Sequence, residues 1–174
     1  MKKIGILFLF LLISICCNAQ SDSTWRFKKK NNITFELLGS GVLYSFNYER
    51  LVYQSKHFKS LAEVGFSYAP YRFFFNQSDL QFMFNWNQLY SLSNKSHIDA
   101  GAGLKLFQTY NLEKKDFLLP IIFHFGYRYQ KPNGNFLFKL LASGGIYKME
   151  LYLYPSKPSY IPYLFPSIAV GYCF

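Results

Sequence analysis

Eight ionisable side chains recur at alternate positions of segments whose other alternate positions are apolar. They are Glu36, Glu49, Glu63, Asp99, Lys105, His124, Arg128 and Lys139. Four acids, three permanent cations and one histidine on one shared phase can neutralise one another as a buried salt-bridged network, or can pass protons or ions along a narrow path. The path needs a continuous file of water in addition to the side chains. The residue pattern therefore favours the network.

Catalytic and metal-binding chemistry have weaker support in the sequence. Acyl transfer needs a histidine placed with a serine and an acid. However, His57 falls in a predicted turn, His97 opens a segment beside another turn, and His124 belongs to the ionisable set. Three separated histidines and the single cysteine outside the N-terminal region, Cys173, also lack the spacing of metal ligands. We expect no catalytic residue, no cofactor and no metal.

Strands must position the ionisable side chains, because side chains alternate between two faces in an extended chain. In the clearest segment, Leu80, Phe82, Phe84 and Trp86 interleave with Gln81, Met83, Asn85 and Asn87. Similar alternation predicts eight strands, over residues 33–38, 44–52, 62–69, 80–87, 98–106, 121–129, 135–147 and 163–174, with Leu38 on the inner phase of the first. Polar residues predict short turns at 54–57, 93–96 and 131–134, and longer loops at 70–79, 108–116 and 154–162.

The N-terminus has the features of a secretory signal peptide. Lys2 and Lys3 precede an apolar run that begins at Ile4, and small residues allow cleavage after Ala19. A retained membrane helix is the weaker alternative, because the run is shorter than the roughly 20 residues that span a bilayer. We expect residues 1–19 to be removed, residues 20–32 to form a basic, solvated periplasmic lead-in, and residues 33–174 to form the folded domain.

The last strand indicates what each face of the sheet contacts. Ile168, Val170, Tyr172 and Phe174 alternate with Ser167, Ala169, Gly171 and Cys173, so the large apolar residues can meet lipid and the small ones a narrow interior. The chain is 51% hydrophobic, yet its mean hydropathy is only +0.02. This pattern predicts an all-β fold, an eight-stranded antiparallel up-and-down transmembrane β-barrel. A soluble lipocalin-like barrel would place apolar residues inward, which the small and charged residues on the opposite phase disfavour.

Several segments resemble a known family. They are Leu38-Gly39-Ser40-Gly41, Tyr44-Ser45-Phe46-Asn47-Tyr48-Glu49-Arg50, Gly126-Tyr127-Arg128-Tyr129-Gln130 with the following Pro132-Asn133-Gly134, and Gly171-Tyr172-Cys173-Phe174. Together they resemble the small eight-stranded outer-membrane β-barrel proteins of Gram-negative bacteria, which share the OmpA-type transmembrane architecture. The resemblance implies an outer-membrane location and the barrel assembly machinery as a transient partner, with Ile168, Val170, Tyr172 and Phe174 as the assembly signal.

Turn lengths add an orientation, because an even number of strands puts both termini on one side and bacterial barrels have short periplasmic turns. We expect periplasmic termini, a monomer surrounded by outer-membrane lipid, a polar lumen filled by side chains, and a structural or surface-interaction role. A surface ligand would bind the aromatic external segments 71–75 and 152–163. No nucleic-acid partner is expected despite the net charge of +10, since the basic lead-in is periplasmic; a solvated tail that can touch anionic lipid or peptidoglycan is expected instead. The alternatives are a lipid A-modifying enzyme and a narrow ion or proton pore.

Overall fold

The computed structural model describes residues 25–39, 43–70, 78–110, 115–118, 121–149 and 159–174. The predicted signal peptide, the first five residues of the lead-in and parts of the longer connections lie outside the described residues. Within the described part of the chain, no helix combines the length and the apolar content needed to cross a membrane.

In the described residues, nine strands form one antiparallel sheet. They are β1 (Asn31–Leu38), β2 (Tyr44–Gln54), β3 (Phe58–Pro70), β4 (Ser78–Ser91), β5 (Ser96–Tyr110), β6 (Lys115–Leu118), β7 (Ile121–Gln130), β8 (Phe136–Met149) and β9 (Ser159–Cys173). Each long strand pairs with its neighbours in the chain, and β1 pairs with β9 to close the sheet. The short β6 and the longer β7 both pair with β5, so together they make one wall. The predicted eight-stranded up-and-down barrel is confirmed.

The alternation of residue types determines which side of each strand faces outward. In β7, Phe125 is 61% exposed on the outer face, whereas its neighbour His124 is 9% exposed and points inward. The same contrast separates Phe46 and Tyr48 from the buried Asn47 in β2. Because an eight-stranded barrel leaves an interior just wide enough for side chains to fill, the inner residues pack against one another.

Several strands extend further than the sequence predicts. β3 includes Pro70, β5 continues to Tyr110, and Pro162 pairs with Ile146 inside β9 rather than in a loop. The predicted loops at 70–79, 108–116 and 154–162 are therefore wrong at their ends. Proline removes only its own N–H donor and its φ suits an extended chain, so a continuing partner strand can hold it. The inner position predicted for Leu38 is also wrong: Leu38 is exposed, because the chain turns there with a positive φ of 61°.

Three short turns lie at one end of the barrel, together with both ends of the described chain. Residues 55–57, 92–95 and 131–135 make these turns, as the sequence predicts. The backbone N–H of Asn31 donates to the carbonyl oxygen of Phe174 at 3.1 Å, which places the start of β1 beside the end of β9. We refer to this end as the short-turn end.

The described part of the lead-in, from residue 25 onward, packs against the barrel through Phe27, which corrects the expectation of a solvated tail for that part. Phe27 is 2% exposed and packs with Leu51, Leu61 and Leu89 across the barrel interior at the short-turn end. Its N–H donates to Gln54 Oε1 at 3.0 Å, and the N–H of Lys28 donates to the carbonyl oxygen of Pro132 at 3.0 Å. These contacts give the barrel an apolar floor beneath its polar interior. Packing of the Phe27 ring there is favourable because it removes apolar surface from water.

We predict that Phe27→Ala destabilises the folded barrel by about 3–5 kcal/mol, because the variant leaves a cavity under three leucines. Urea unfolding of the protein in lipid vesicles measures the change. The control is Phe136→Ala, whose aromatic ring is 75% exposed on the outer face at the same end. Equal stability losses in the two variants would contradict the buried-floor interpretation.

Candidate functional site: the ionic network of the barrel interior

The eight ionisable residues selected from the sequence all lie in the barrel interior. Glu36, Glu49, Glu63, Asp99, Lys105, His124, Arg128 and Lys139 are buried, and Glu49, Asp99 and Arg128 have no exposed surface. They project from six strands, β1, β2, β3, β5, β7 and β8. This placement avoids the cost of about 2–4 kcal/mol that a charged residue pays on the lipid face at mid-membrane.

Glu49 is the most heavily bonded member of the network. Arg128 donates to it through both terminal nitrogens, Nη2 to Oε2 at 2.8 Å and Nη1 to Oε1 at 3.2 Å. Lys139 Nζ donates to the same Oε1, and Asn32 Nδ2 donates to Oε2 at 3.1 Å. A paired fork of this kind is among the strongest side-chain interactions, since both partners are charged and the geometry is fixed.

The ion pairs connect opposite walls of the barrel. In the closed strand order, β2 lies four steps from β7, and β3 lies four steps from β8. The Glu49–Arg128 pair spans the first of these diameters, and Lys139 Nζ lies 3.6 Å from Glu63 Oε2 across the second. The interior charges therefore tie strands that share no backbone hydrogen bonds.

Two more acids complete the connected cluster. Asp99 accepts from Arg128 Nη1 at 3.4 Å and lies 3.3 Å from His124 Nε2. Glu63 accepts from Asn85 Nδ2 at 2.8 Å and from Asn87 Nδ2 at 2.7 Å. The structure thus brings six of the eight predicted residues into one network of charges and amides.

The remaining two residues lie beside that network. Glu36 accepts from Ser45 Oγ at 3.0 Å and lines a small cavity with Glu63, His124 and Lys139. Lys105 is a further buried cation on β5. The cavity measures about 10 Å³, close to the smallest space that holds a single water molecule. Its size fits isolated hydration of the network rather than a continuous file of water.

Inward glycines make room for the larger polar side chains. A Cβ atom at Gly65 would overlap the side chain of Asn47, and one at Gly101 would overlap Asn87 and the ring of His124. Because glycine has no Cβ, the opposite side chains approach the backbone closely at these two positions.

A second interior cluster, next to Phe27, was missed in the sequence. Lys59 Nζ donates to Ser91 Oγ at 2.6 Å, and His97 Nδ1 lies 2.9 Å from the same oxygen. Lys59 Nζ also lies 4.9 Å from the centre of the Phe27 ring, within the range of a cation–π contact. Lys59 shares the inner phase of Leu61 and Glu63, so extending the third strand backwards by three residues finds it. His97 opens its segment beside a turn in the sequence, and that position does not indicate that its side chain is buried.

The pairing of His97 with Ser91 invites a comparison with acyl-transfer sites. His97 Nε2 faces the carbonyl oxygen of Gln130 at 3.1 Å, so that nitrogen carries the proton and Nδ1 accepts from the Ser91 hydroxyl. Ser91 is 2% exposed and Lys59 is fully buried, with Phe27 packed beneath. Lys59 Nζ, Ser91 Oγ and both ring nitrogens of His97 each have a partner, as in a buried structural network.

Metal-binding geometry is not found in the part of the chain that the structure describes. No group of three or more His, Cys, Asp or Glu side chains is arranged there to hold a metal ion. Cys173 is a buried free thiol at the end of β9.

The last strand places its large apolar residues on the outer face. Ile168, Val170, Tyr172 and Phe174 are each about half exposed. Ser167, Ala169 and Cys173 are buried on the inner face. The surface of β9 is therefore continuous with the apolar outer surface of the other strands.

Comparison with known proteins found similarity in structure but none in sequence. No protein-family model matches the chain, and no curated protein sequence matches it. The N-terminal β-barrel domain of Pseudomonas aeruginosa OprF superposes with a TM-score of 0.52 at 11% identity, covering 83% of this chain and 96% of that domain. The attachment invasion locus protein Ail of Yersinia pestis gives 0.47 at 9% identity in its complex with the heparin analogue sucrose octasulfate, covering 83% and 94% of the two chains.

A second Ail structure gives a TM-score of 0.45 at 11% identity with the same coverage, 83% and 94%. The likeness to OprF establishes the fold. The architecture predicted from the resemblance to small eight-stranded outer-membrane barrels is therefore confirmed.

We predict that Glu49→Gln destabilises the barrel by about 3–5 kcal/mol, because it leaves two buried cations without their central carboxylate. The control is Arg50→Gln, which removes a charge from the next residue on the exposed face and should change stability by less than about 0.5 kcal/mol. Urea titration in vesicles, followed by tryptophan fluorescence, gives both values. A Glu49→Gln variant as stable as Arg50→Gln would show that the network does not hold the walls together.

Proposed function

We propose that this chain is an integral outer-membrane protein whose barrel is a closed anchor, and that it has a structural or surface-interaction role without catalysis. The observation that carries the proposal is the apolar character of the outer surface. Large apolar side chains cover the outer faces of the strands, including Phe46, Phe84, Phe125 and Val170. Among the side chains that the structure describes, charged residues occupy only the short-turn end of this surface.

A soluble barrel would reverse this distribution of residues. Exposed apolar patches on soluble monomers rarely exceed a few hundred Å². Here, in contrast, apolar side chains cover the exterior of the barrel and polar side chains occupy its interior. A lipid environment makes the same surface favourable, since strands in a bilayer alternate apolar outward and polar inward residues. The closed sheet also supports a monomer, because each long strand pairs with a strand on either side.

The packed interior supports an anchor rather than a pore. Arg128 and Lys139 converge on Glu49 in the middle of the lumen, and Phe27 with three leucines fills the short-turn end. Ion passage would require several buried pairs to separate at once, at a cost of several kcal/mol for each uncompensated charge. A role without catalysis is supported by the burial of the described serine–histidine pair, Ser91 and His97.

The orientation proposed from sequence places the short-turn end and both termini in the periplasm. Short periplasmic turns and longer external loops are the rule in bacterial barrels, and the described turns at 55–57, 92–95 and 131–135 are short. Two segments are expected to bind a surface ligand. Segment 71–75 lies outside the described residues, and of segment 152–163 only residues 159–163 are described.

We expect the protein in the outer-membrane fraction, migrating on a gel differently before and after boiling, because a folded barrel resists detergent. Cysteine labelling tests orientation: Ser156→Cys should react with an impermeant maleimide on intact cells, and Asn94→Cys only after the outer membrane is opened. A soluble product without a heat-dependent shift would overturn the membrane assignment. Labelling in the reverse order would overturn only the orientation.

We predict that Phe174→Ala lowers the amount of barrel assembled in cells severalfold but leaves unassisted folding into vesicles unchanged. Deleting Phe174 would also remove its two backbone hydrogen bonds to Asn31, so the substitution separates signal recognition from stability. The matched control is Phe136→Ala, an exposed aromatic residue at the same end but outside the last strand. Equal assembly of the two variants would contradict the assembly-signal role.

A further inference from the structure

Basic residues dominate the surface of the short-turn end. We define the basic rim as the eight cations on this end, Arg26, Lys28, Lys29, Lys30, Arg50, Lys56, Lys95 and Lys131. Seven of them are exposed and Lys29 is partly exposed. They come from the lead-in, the outer edge of β2 and all three short turns, so they surround the end rather than clustering on one side.

No described acidic side chain balances this rim. The acids whose side chains the structure describes are Glu36, Glu49, Glu63 and Asp99, and all four are buried inside the barrel. They are engaged there with interior partners such as Arg128, Lys139 and Ser45. Within the described part of the chain, the cations of the rim therefore have no acidic side chain beside them.

The rim borders the lipid-facing surface directly. Lys29 Nζ lies 5.6 Å from the centre of the exposed Tyr172 ring, and Arg50 follows Tyr48 by two residues on the outer phase of β2. The Tyr48 hydroxyl donates to Asn31 Oδ1 at 2.8 Å. Tyrosines with an apolar ring and a bonded polar tip favour the membrane–water interface. These positions place the rim at the level of lipid headgroups.

We propose that the basic rim binds the phosphate headgroups of anionic phospholipids in the leaflet at the short-turn end. The inference rests on the membrane embedding argued above and adds the class of lipid. Lysine and arginine near a membrane surface attract anionic lipids, and the attraction falls off within a Debye length. Lipid is favoured over a soluble polyanion, because Lys29 and Arg50 lie on the outer wall beside lipid-facing rings rather than on the flat end.

The test uses the folded chain from residue 20 onward in phosphatidylcholine vesicles that contain a trace of spin-labelled lipid. Electron paramagnetic resonance compares the motionally restricted fraction of labelled phosphatidylglycerol with that of labelled phosphatidylcholine, at about 50 mM and about 500 mM salt. The rim variant is Lys56→Gln/Lys95→Gln/Lys131→Gln. The matched control removes three cations from other connections and from the far strand ends, as Arg72→Gln/Lys115→Gln/Lys148→Gln.

We expect the native protein to select phosphatidylglycerol by at least about threefold at low salt, with the preference approaching unity at high salt. The rim variant should lose at least about half of the preference, and the control variant should keep it. Equal restriction of the two lipids by the native protein would overturn the proposal, as would an equal loss in both variants.

Two further measurements separate the rim proposal from the membrane assignment and from binding to peptidoglycan. Heat-dependent mobility is recorded for every sample, so a native protein that never shifts overturns the membrane assignment itself, whereas a shift without lipid selectivity overturns the rim proposal alone. Co-sedimentation with isolated peptidoglycan is measured in parallel. Binding to peptidoglycan that the rim variant loses, in the absence of lipid selectivity, would assign the rim to that polymer and overturn the lipid proposal.

Discussion

The fork between Arg128 and Glu49 is the contact on which the barrel interior depends. The two residues are 79 positions apart in the chain and lie on opposite walls, with no exposed surface on either side chain. Removing both charges from water costs several kcal/mol for each ion, and the cost is recovered only if geometry and extra hydrogen bonds are good. Lys139 and Asn32 supply those extra bonds. These side chains can reach Glu49 from other walls because the interior of an eight-stranded barrel is only as wide as side chains can fill.

Residue alternation predicted the architecture because the side-chain period of a strand leaves little choice. A shift of one residue in a strand would turn every inner side chain toward lipid, so Glu49, Glu63 and Asp99 had to share the interior. Their partners could not be derived in the same way. Whether Arg128 meets Glu49 or another acid depends on closure of the sheet and on the register between distant strands, and neither is encoded by local periodicity.

The lead-in shows a second limit of local patterns. Phe27 stands among basic residues in the sequence, which favours a solvated tail, yet its ring packs on Leu51, Leu61 and Leu89. The three leucines occupy inner positions of strands whose other inner residues are mostly polar, so no local run of apolar residues marks them in the sequence. Only the folded barrel brings the three leucine side chains together with Phe27. Their burial against Phe27 follows from the cost of leaving four apolar side chains wet at an open barrel mouth.

Interior neutralisation and the basic rim have a common origin. If the outer faces of the strands contact lipid, as proposed above, lipid excludes charge from them, and inside the barrel Arg128 and Lys139 pair with buried acids. The described acids are consequently buried with Arg128, Lys139 and their neighbours. Among the described residues, the exposed cations have no acidic side chain beside them, and Lys56, Lys95 and Lys131 lie in the turns of the short-turn end. Charge separation between lumen and rim is the distribution that the proposed membrane embedding would produce, and an anionic surface is the counterpart that the rim proposal assigns to that end.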